Sequence, residues 1–164
     1  MLTENELIKF RRELHSYPET GWCEFVTTHK IVEKLRSFGL DPIYGRQVIN
    51  PEFVAGRNPA KVEEAKKAAL EKGVPPEFTE SMQDYTGVAA IFETGRPGPV
   101  LAIRFDMDCV DVDEAHEAGH RPFDEGWAST NPGHMHSCGH DGHATMGIAV
   151  CNWIQENLDQ FCGT

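Results

Sequence analysis

Apolar positions recur at helical spacing from the start of the chain. Leu7, Phe10 and Leu14 fall on one face, and Thr3 with Glu6 forms a capping box ahead of them. The pattern predicts a helix from Glu4 that Pro18 ends. A second helix is expected from about Trp22 to Phe38, with Phe25, Ile31, Val32 and Leu35 as its stripe and Gly39 as its C-cap. A short strand is expected near Tyr44 to Ile49. Asn58-Pro59 then reads as an N-cap and first-turn pair opening a Lys/Glu/Ala-rich surface helix over 59–72, and a weaker helix follows from Pro76 to Asp84.

The period changes after this point. Gly87 to Glu93 and Pro99 to Phe105 are apolar runs separated by Thr94-Gly-Arg-Pro-Gly98, which predicts a hairpin. Val100 to Phe105 is nearly continuous in apolar residues, as expected for a strand buried on both faces. Residues 106–137 lack periodicity. A last helix is expected from Asp141 to about Leu158, with Met146, Ala149, Val150, Trp153, Ile154 and Leu158 as its apolar face. Helices flanking a buried strand give an α/β class.

Composition narrows the partners. The 164 residues suit one domain of ordinary size. The net charge of −11 opposes phosphate backbones and anionic membranes, so neither nucleic acid nor membrane is an expected partner. The acidic N-terminus lacks the basic and apolar regions of a signal peptide, which gives a cytoplasmic expectation. Five cysteines without a CxxC pair argue against a disulfide framework, and Cys23 and Cys151 read as small hydrophobes.

Two places carry chemistry. Four of the eight histidines lie between 134 and 143 around Cys138. Cys138 and His140, with Gly139 between them, are suited to zinc and similar ions at the opening of a helix, although an ordinary polar loop is the alternative. His134, His136 and His143 read as supporting or surface groups. The second place is Asp106-Met-Asp108, where alternation sends two carboxylates the same way out of a strand end. From 106 to 125 there are eight acidic residues, of which Asp111, Asp113, Glu114 and Glu117 read as a solvated loop. The segment Arg11-Arg-Glu-Leu-His-Ser-Tyr-Pro-Glu19 is a helix end with a proline stop, and nothing physical in it demands catalysis.

Together, Arg11 to Glu19, Gly98 to Asp108 and Met135 to His143 resemble three ordered motifs of the M20 family of metallopeptidases and amidohydrolases. The likeness is to the branch with aminoacylase-like and auxin-conjugate hydrolases. It implies that 1–164 is the N-terminal part of an M20 catalytic domain, an incomplete mixed sheet flanked by helices, with the dimerisation domain absent. By motif match Cys138 and His140 are ligands of a paired manganese or zinc site, and Asp108 orients them. Asp106 stands where other branches have a His ligand and is not assigned as one. The implied reaction is metal-assisted hydrolysis of an N-acyl amino acid, with p-aminobenzoyl-glutamate the expected substrate. In the family the general-base glutamate and later ligands follow the last of these motifs, so the chain alone is expected to be inactive. A homo- or hetero-oligomer with a related subunit is the expected assembly. The rival readings are a non-catalytic metal-binding or assembly module, and a structural zinc domain, which would need four closed ligands.

Overall fold

A computed structural model describes residues 1–164. The chain runs α1 (Glu4–His15), α2 (Phe25–Arg36), β1 (Ile43–Tyr44), α3 (Pro59–Glu71), α4 (Pro76–Ser81), β2 (Val88–Ala89), α5 (Arg121–Asp124) and α6 (His140–Glu156).

The helices begin where their caps dictate. Thr3 Oγ1 accepts from Glu6 N at 3.3 Å, and Glu6 Oε2 accepts from Thr3 N at 2.8 Å. This reciprocal box starts α1. Asn58 Oδ1 accepts from Ala60 N at 3.0 Å, and Pro59 occupies the first turn of α3. The start of α2 is held from a distance. Glu19 accepts from Val26 N at 3.0 Å, Thr27 N at 2.7 Å and Thr27 Oγ1 at 2.8 Å, satisfying first-turn donors that the helix leaves unpaired.

Two apolar clusters share α2. One joins Phe25 and Val32 to Val62 and Ala69 of α3 and to Phe78 and Met82. The other joins Ile31 and Leu35 to Phe10 and Leu14 of α1 and to Ala144 and Ile148 of α6. The surface helix expected over 59–72 is therefore anchored by one buried edge, while its Lys and Glu residues mostly face out.

The sheet departs from the expected hairpin. Only Val88 and Ala89 pair, antiparallel to Tyr44 and Ile43. The turn-forming separator is engaged by the C-terminal residues instead: Thr94 N donates to Gly163 O at 3.2 Å and Gly163 N donates to Arg96 O at 2.9 Å. The Val100–Phe105 run, expected to be buried on both faces, lies unpaired apart from contacts of Leu101 and Pro99 with Thr164. Val100 is 82% exposed and Leu101 73%. An apolar run is buried only where neighbouring strands cover it, and β2 has its one partner in β1.

Such an exposed apolar edge is a template for intermolecular pairing. The chain is expected to self-associate with rising concentration. Leu101→Lys is expected to suppress this in sedimentation velocity while changing the unfolding free energy from urea titration by no more than about 0.5 kcal/mol.

Helix α6 also turns a different face inward from the one its large side chains suggest. Asp141, Ala144, Thr145, Ile148 and Asn152 are buried, whereas Met146 and Trp153 are exposed. Gly147 explains part of this, since its missing side chain lets Phe105 approach to 2.9 Å of where a Cβ would stand. The polar anchor Asp141 sets the rest of the rotation. No helix is long and apolar enough to cross a membrane.

Candidate metal centre

The segment Met135–His143 makes a turn that Gly139, at φ +79°, carries through a left-handed conformation into α6. His140 is the first residue of the helix. Its Nδ1 lies 2.8 Å from Asp108 Oδ1 and 3.0 Å from the Asp108 carbonyl. A proton on Nδ1 satisfies both oxygens, leaving Nε2 as the free lone pair. That nitrogen is 4.0 Å from Asp106 Oδ2. His143 lies one helical turn on, and its Nδ1 is 3.6 Å from the same oxygen. The two imidazoles stack with centroids 5.2 Å apart. One donor atom each from Asp106, His140 and His143 lies within 4.8 Å of the others.

This donor set suits a divalent ion. Two imidazoles and one carboxylate match borderline metals, and the Asp108–His140 contact is the outer hydrogen bond that commonly fixes a ligating imidazole. No strand forms over 100–108, so the expected strand-end alternation is not seen, but Asp106 and Asp108 both come close to the His140 ring. Cys138 is exposed and does not join the three-donor group. His143 and Asp106 do, and neither is assigned as a ligand from the sequence. The three-residue step from His140 to His143 is the available signal, since it puts two imidazoles on one helical face. His134 faces Asp111 at 3.3 Å at the surface.

Behind the turn lies a buried polar network. His15 Nδ1 is 2.9 Å from Asp141 Oδ2, and His15 Nε2 is 3.0 Å from Glu114 Oε1. Arg11 Nε donates to the same Asp141 oxygen at 3.0 Å. Glu114 also accepts from Ser129 N and meets His120 Nε2 at 2.9 Å. Of the four acidic residues expected to be solvated, Asp111, Asp113 and Glu117 are exposed, but Glu114 is buried. Burial alone would raise the Glu114 pKa. Its hydrogen bonds to His120, Ser129 and His15 more than offset that and hold it below the usual carboxylate value. Burial likewise opposes protonation of His15, yet its two carboxylate partners leave its pKa raised. His136 is buried with neither ring nitrogen paired, and burial pushes it down to about 4, so it is neutral.

Two buried glutamates make stability depend on pH. Burial pushes Glu19 and Glu24 up to about 7 from the ordinary 4.5, against the hydrogen bonds that each accepts. The folded state then holds more protons than the unfolded state between these values. The part of the stability that these two groups contribute is fully present below about pH 4.5 and is lost as pH rises through about 7. Glu24→Gln keeps an acceptor for Thr86 Oγ1 and removes the titration. Urea midpoints measured across this range are expected to fall for the unmodified chain and to fall less steeply for Glu24→Gln.

Comparison with known proteins gives the geometry a family. Residues 102–164, which hold Asp106, Asp108, Cys138 and His140, match the family described as Peptidase family M20/M25/M40. The chain is 45% identical over 160 residues to a homolog, in Haemophilus influenzae, of one subunit of p-aminobenzoyl-glutamate hydrolase, covering 97% of this chain and 38% of that protein. It is 39% identical to an indole-3-acetyl-aspartic acid hydrolase of Enterobacter agglomerans, covering 96% of this chain and 37% of that protein. Among solved structures, an aminobenzoyl-glutamate utilization protein from Klebsiella pneumoniae superposes with a TM-score of 0.71 at 28% identity, covering 97% of this chain and 34% of that one. A dinuclear metal-binding M20 peptidase from Bacillus subtilis superposes with a TM-score of 0.60 at 26% identity, covering 93% and 31%. The chain thus spans well under half the length of each of these relatives. Residues 102–164 thus match peptidase family M20 directly, and the rest of the chain is similar to proteins named as hydrolases and to an M20 peptidase in sequence and backbone.

Proposed function

We propose that this chain provides the metal-holding turn of an amidohydrolase that cleaves N-acyl amino acids, with p-aminobenzoyl-glutamate the favoured substrate. The observation that carries the reading is the orientation of His140. Asp108 occupies its Nδ1, and its Nε2 is turned toward Asp106 and His143. His140 and Cys138 are the motif-matched ligands, with Asp108 as the orienting group and manganese or zinc as the ion. Asp106 and His143 are the further donors that the geometry brings within reach. A bound ion of this kind polarises the amide carbonyl and lets water lose a proton near neutral pH.

The substrate class follows from the relatives. The names of two of them specify amides joining an aromatic acyl group to an acidic amino acid. A further relative, from Escherichia coli, is named as one subunit of p-aminobenzoyl-glutamate hydrolase, which supports a second, related subunit for this chain too. A reducing cytoplasm suits the five free thiols, including the exposed Cys138.

Metal content per chain after dialysis against manganese or zinc tests the reading. Retained ion with open coordination positions is the expected result, two ions being the full complement. A single closed four-coordinate ion, or none, would overturn it. A second reading, a metal-binding or assembly module without catalysis, is favoured by one observation: the three-donor group contains no glutamate to act as base. Accordingly the chain alone, loaded with manganese, is expected to release no p-aminobenzoate from p-aminobenzoyl-glutamate.

A further inference from the structure

The motif Arg11 to Glu19 has no place in the metal site itself, yet its histidine is among the most enclosed polar groups in the chain. His15 is 4% exposed and lies on the face of α1 that packs against α6. Arg11, one turn earlier, reaches the same carboxylate, that of Asp141. Asp141 is fully buried and directly follows His140 in the chain. Its second oxygen, Oδ1, accepts from Gly142 N at 2.8 Å.

Both ring nitrogens of His15 face carboxylate oxygens, Asp141 on one side and Glu114 on the other. A neutral imidazole has one N–H and satisfies only one of them, whereas an imidazolium satisfies both. Glu114 is itself fixed by Ser129 N and His120, and Trp127 closes the His15 ring edge-on at 5.0 Å. The end of α1 is further tied to this loop by Thr130 N donating to Ser16 O at 2.8 Å. His15 therefore joins three separate pieces of chain: α1, the 114–130 loop and the first turn of α6.

We propose that His15 is a positioning residue for the metal centre: clamped between Glu114 and Asp141, it fixes the rotation of the first turn of α6 and thereby the direction of His140 Nε2. The inference rests on the reading of His140 as a metal ligand. His140 then has two independent anchors, Asp108 on its ring and the His15–Asp141 contact on the backbone beside it. Releasing the second lets the turn rotate while the rest of α6 stays packed through Ala144 and Ile148.

Cobalt(II) is the probe, because its visible absorption reports coordination geometry and its affinity is measured by equilibrium dialysis. His15→Gln, which can donate to only one of the two carboxylates, is expected to weaken cobalt binding by about 10–100-fold and to change the spectrum. Glu114→Gln keeps an acceptor without the charge. It is expected to weaken binding in the same direction by about 10-fold, and it supplies the test should His15→Gln fail to fold. Phe78→Leu, in the cluster away from this site, lowers stability and is expected to leave affinity and spectrum unchanged. A folded His15→Gln or Glu114→Gln chain with unmodified affinity and spectrum would overturn the positioning role alone. Failure of the unmodified chain to bind cobalt would instead overturn the metal reading beneath it.

Discussion

Asp141→Ala lowers the unfolding free energy by about 3–5 kcal/mol, the range for breaking a buried ion pair by removing one partner. The Asp141 side chain is fully buried between Arg11 and His15, and three groups donate to it. Alanine leaves the His15 ring beside Glu114 with half its hydrogen bonding gone and the Gly142 N–H without its carboxylate. Arg11 is half exposed and recovers water, so its share of the loss is small. His15 can shed its proton, which keeps the cost from rising further, but a buried nitrogen then has no partner. Asp141→Asn retains an acceptor and is expected to cost less. Urea unfolding followed by circular dichroism measures both, and a loss below about 1 kcal/mol for alanine would show that the network is not the brace described.

That network also marks where the sequence stops being legible. The helices can be read because their starts depend on near neighbours: Thr3 with Glu6, and Asn58 with Pro59. Contacts across long separations leave no such trace. Glu19 caps a helix that starts six residues later, and Glu114 pairs with a histidine 99 residues away. Glu114 sits in an acidic stretch whose composition says solvent, and only the tertiary fold withdraws it. The sheet departs from expectation for the opposite reason. The Val100–Phe105 run has strong strand character, but its burial depends on neighbours that lie elsewhere in a sheet. The inward face of α6 differs from the expected one because anchoring outweighs side-chain size. Small Ala144 and Gly147 allow close packing, and Asp141 decides which way the helix turns.

The three motifs of the family thus have distinct physical tasks in this chain. Asp106 and Asp108 lie on one segment, His140 and His143 on one helical turn, and His15 and Glu19 behind them. Glu19 does more than start α2, since its carbonyl accepts from Cys109 N at 2.7 Å, which ties the Pro18–Glu19 turn to the residue after Asp108. A parallel bridge between Thr20 and Cys109 continues that contact. The opening motif therefore braces both halves of the candidate metal site, one through Asp141 and the other through Cys109. This explains how a segment without evident chemistry can stand beside two that have it.

His140→Ala is expected to reduce retained metal by more than about 100-fold, beyond what loss of an outer partner causes. His140 is the one residue common to the motif-matched pair and to the three-donor group, so its removal breaks either arrangement. Asp108→Ala separates direct ligation from orientation. It leaves every candidate donor in place but frees the His140 ring to rotate and to carry its proton on either nitrogen. The expected loss is about 10–100-fold in affinity, the range for removing a carboxylate that orients a ligating histidine. Cys138→Ser and His143→Gln then decide which donor accompanies His140. If His143→Gln weakens binding and Cys138→Ser does not, the donors that converge in this structure hold the ion. The reverse pattern assigns it to the motif-matched pair and requires the exposed Cys138 to swing toward His140 when metal arrives. Equilibrium dialysis of the four variants under one buffer distinguishes these outcomes, and equal affinity across all four would remove the metal centre from this turn altogether.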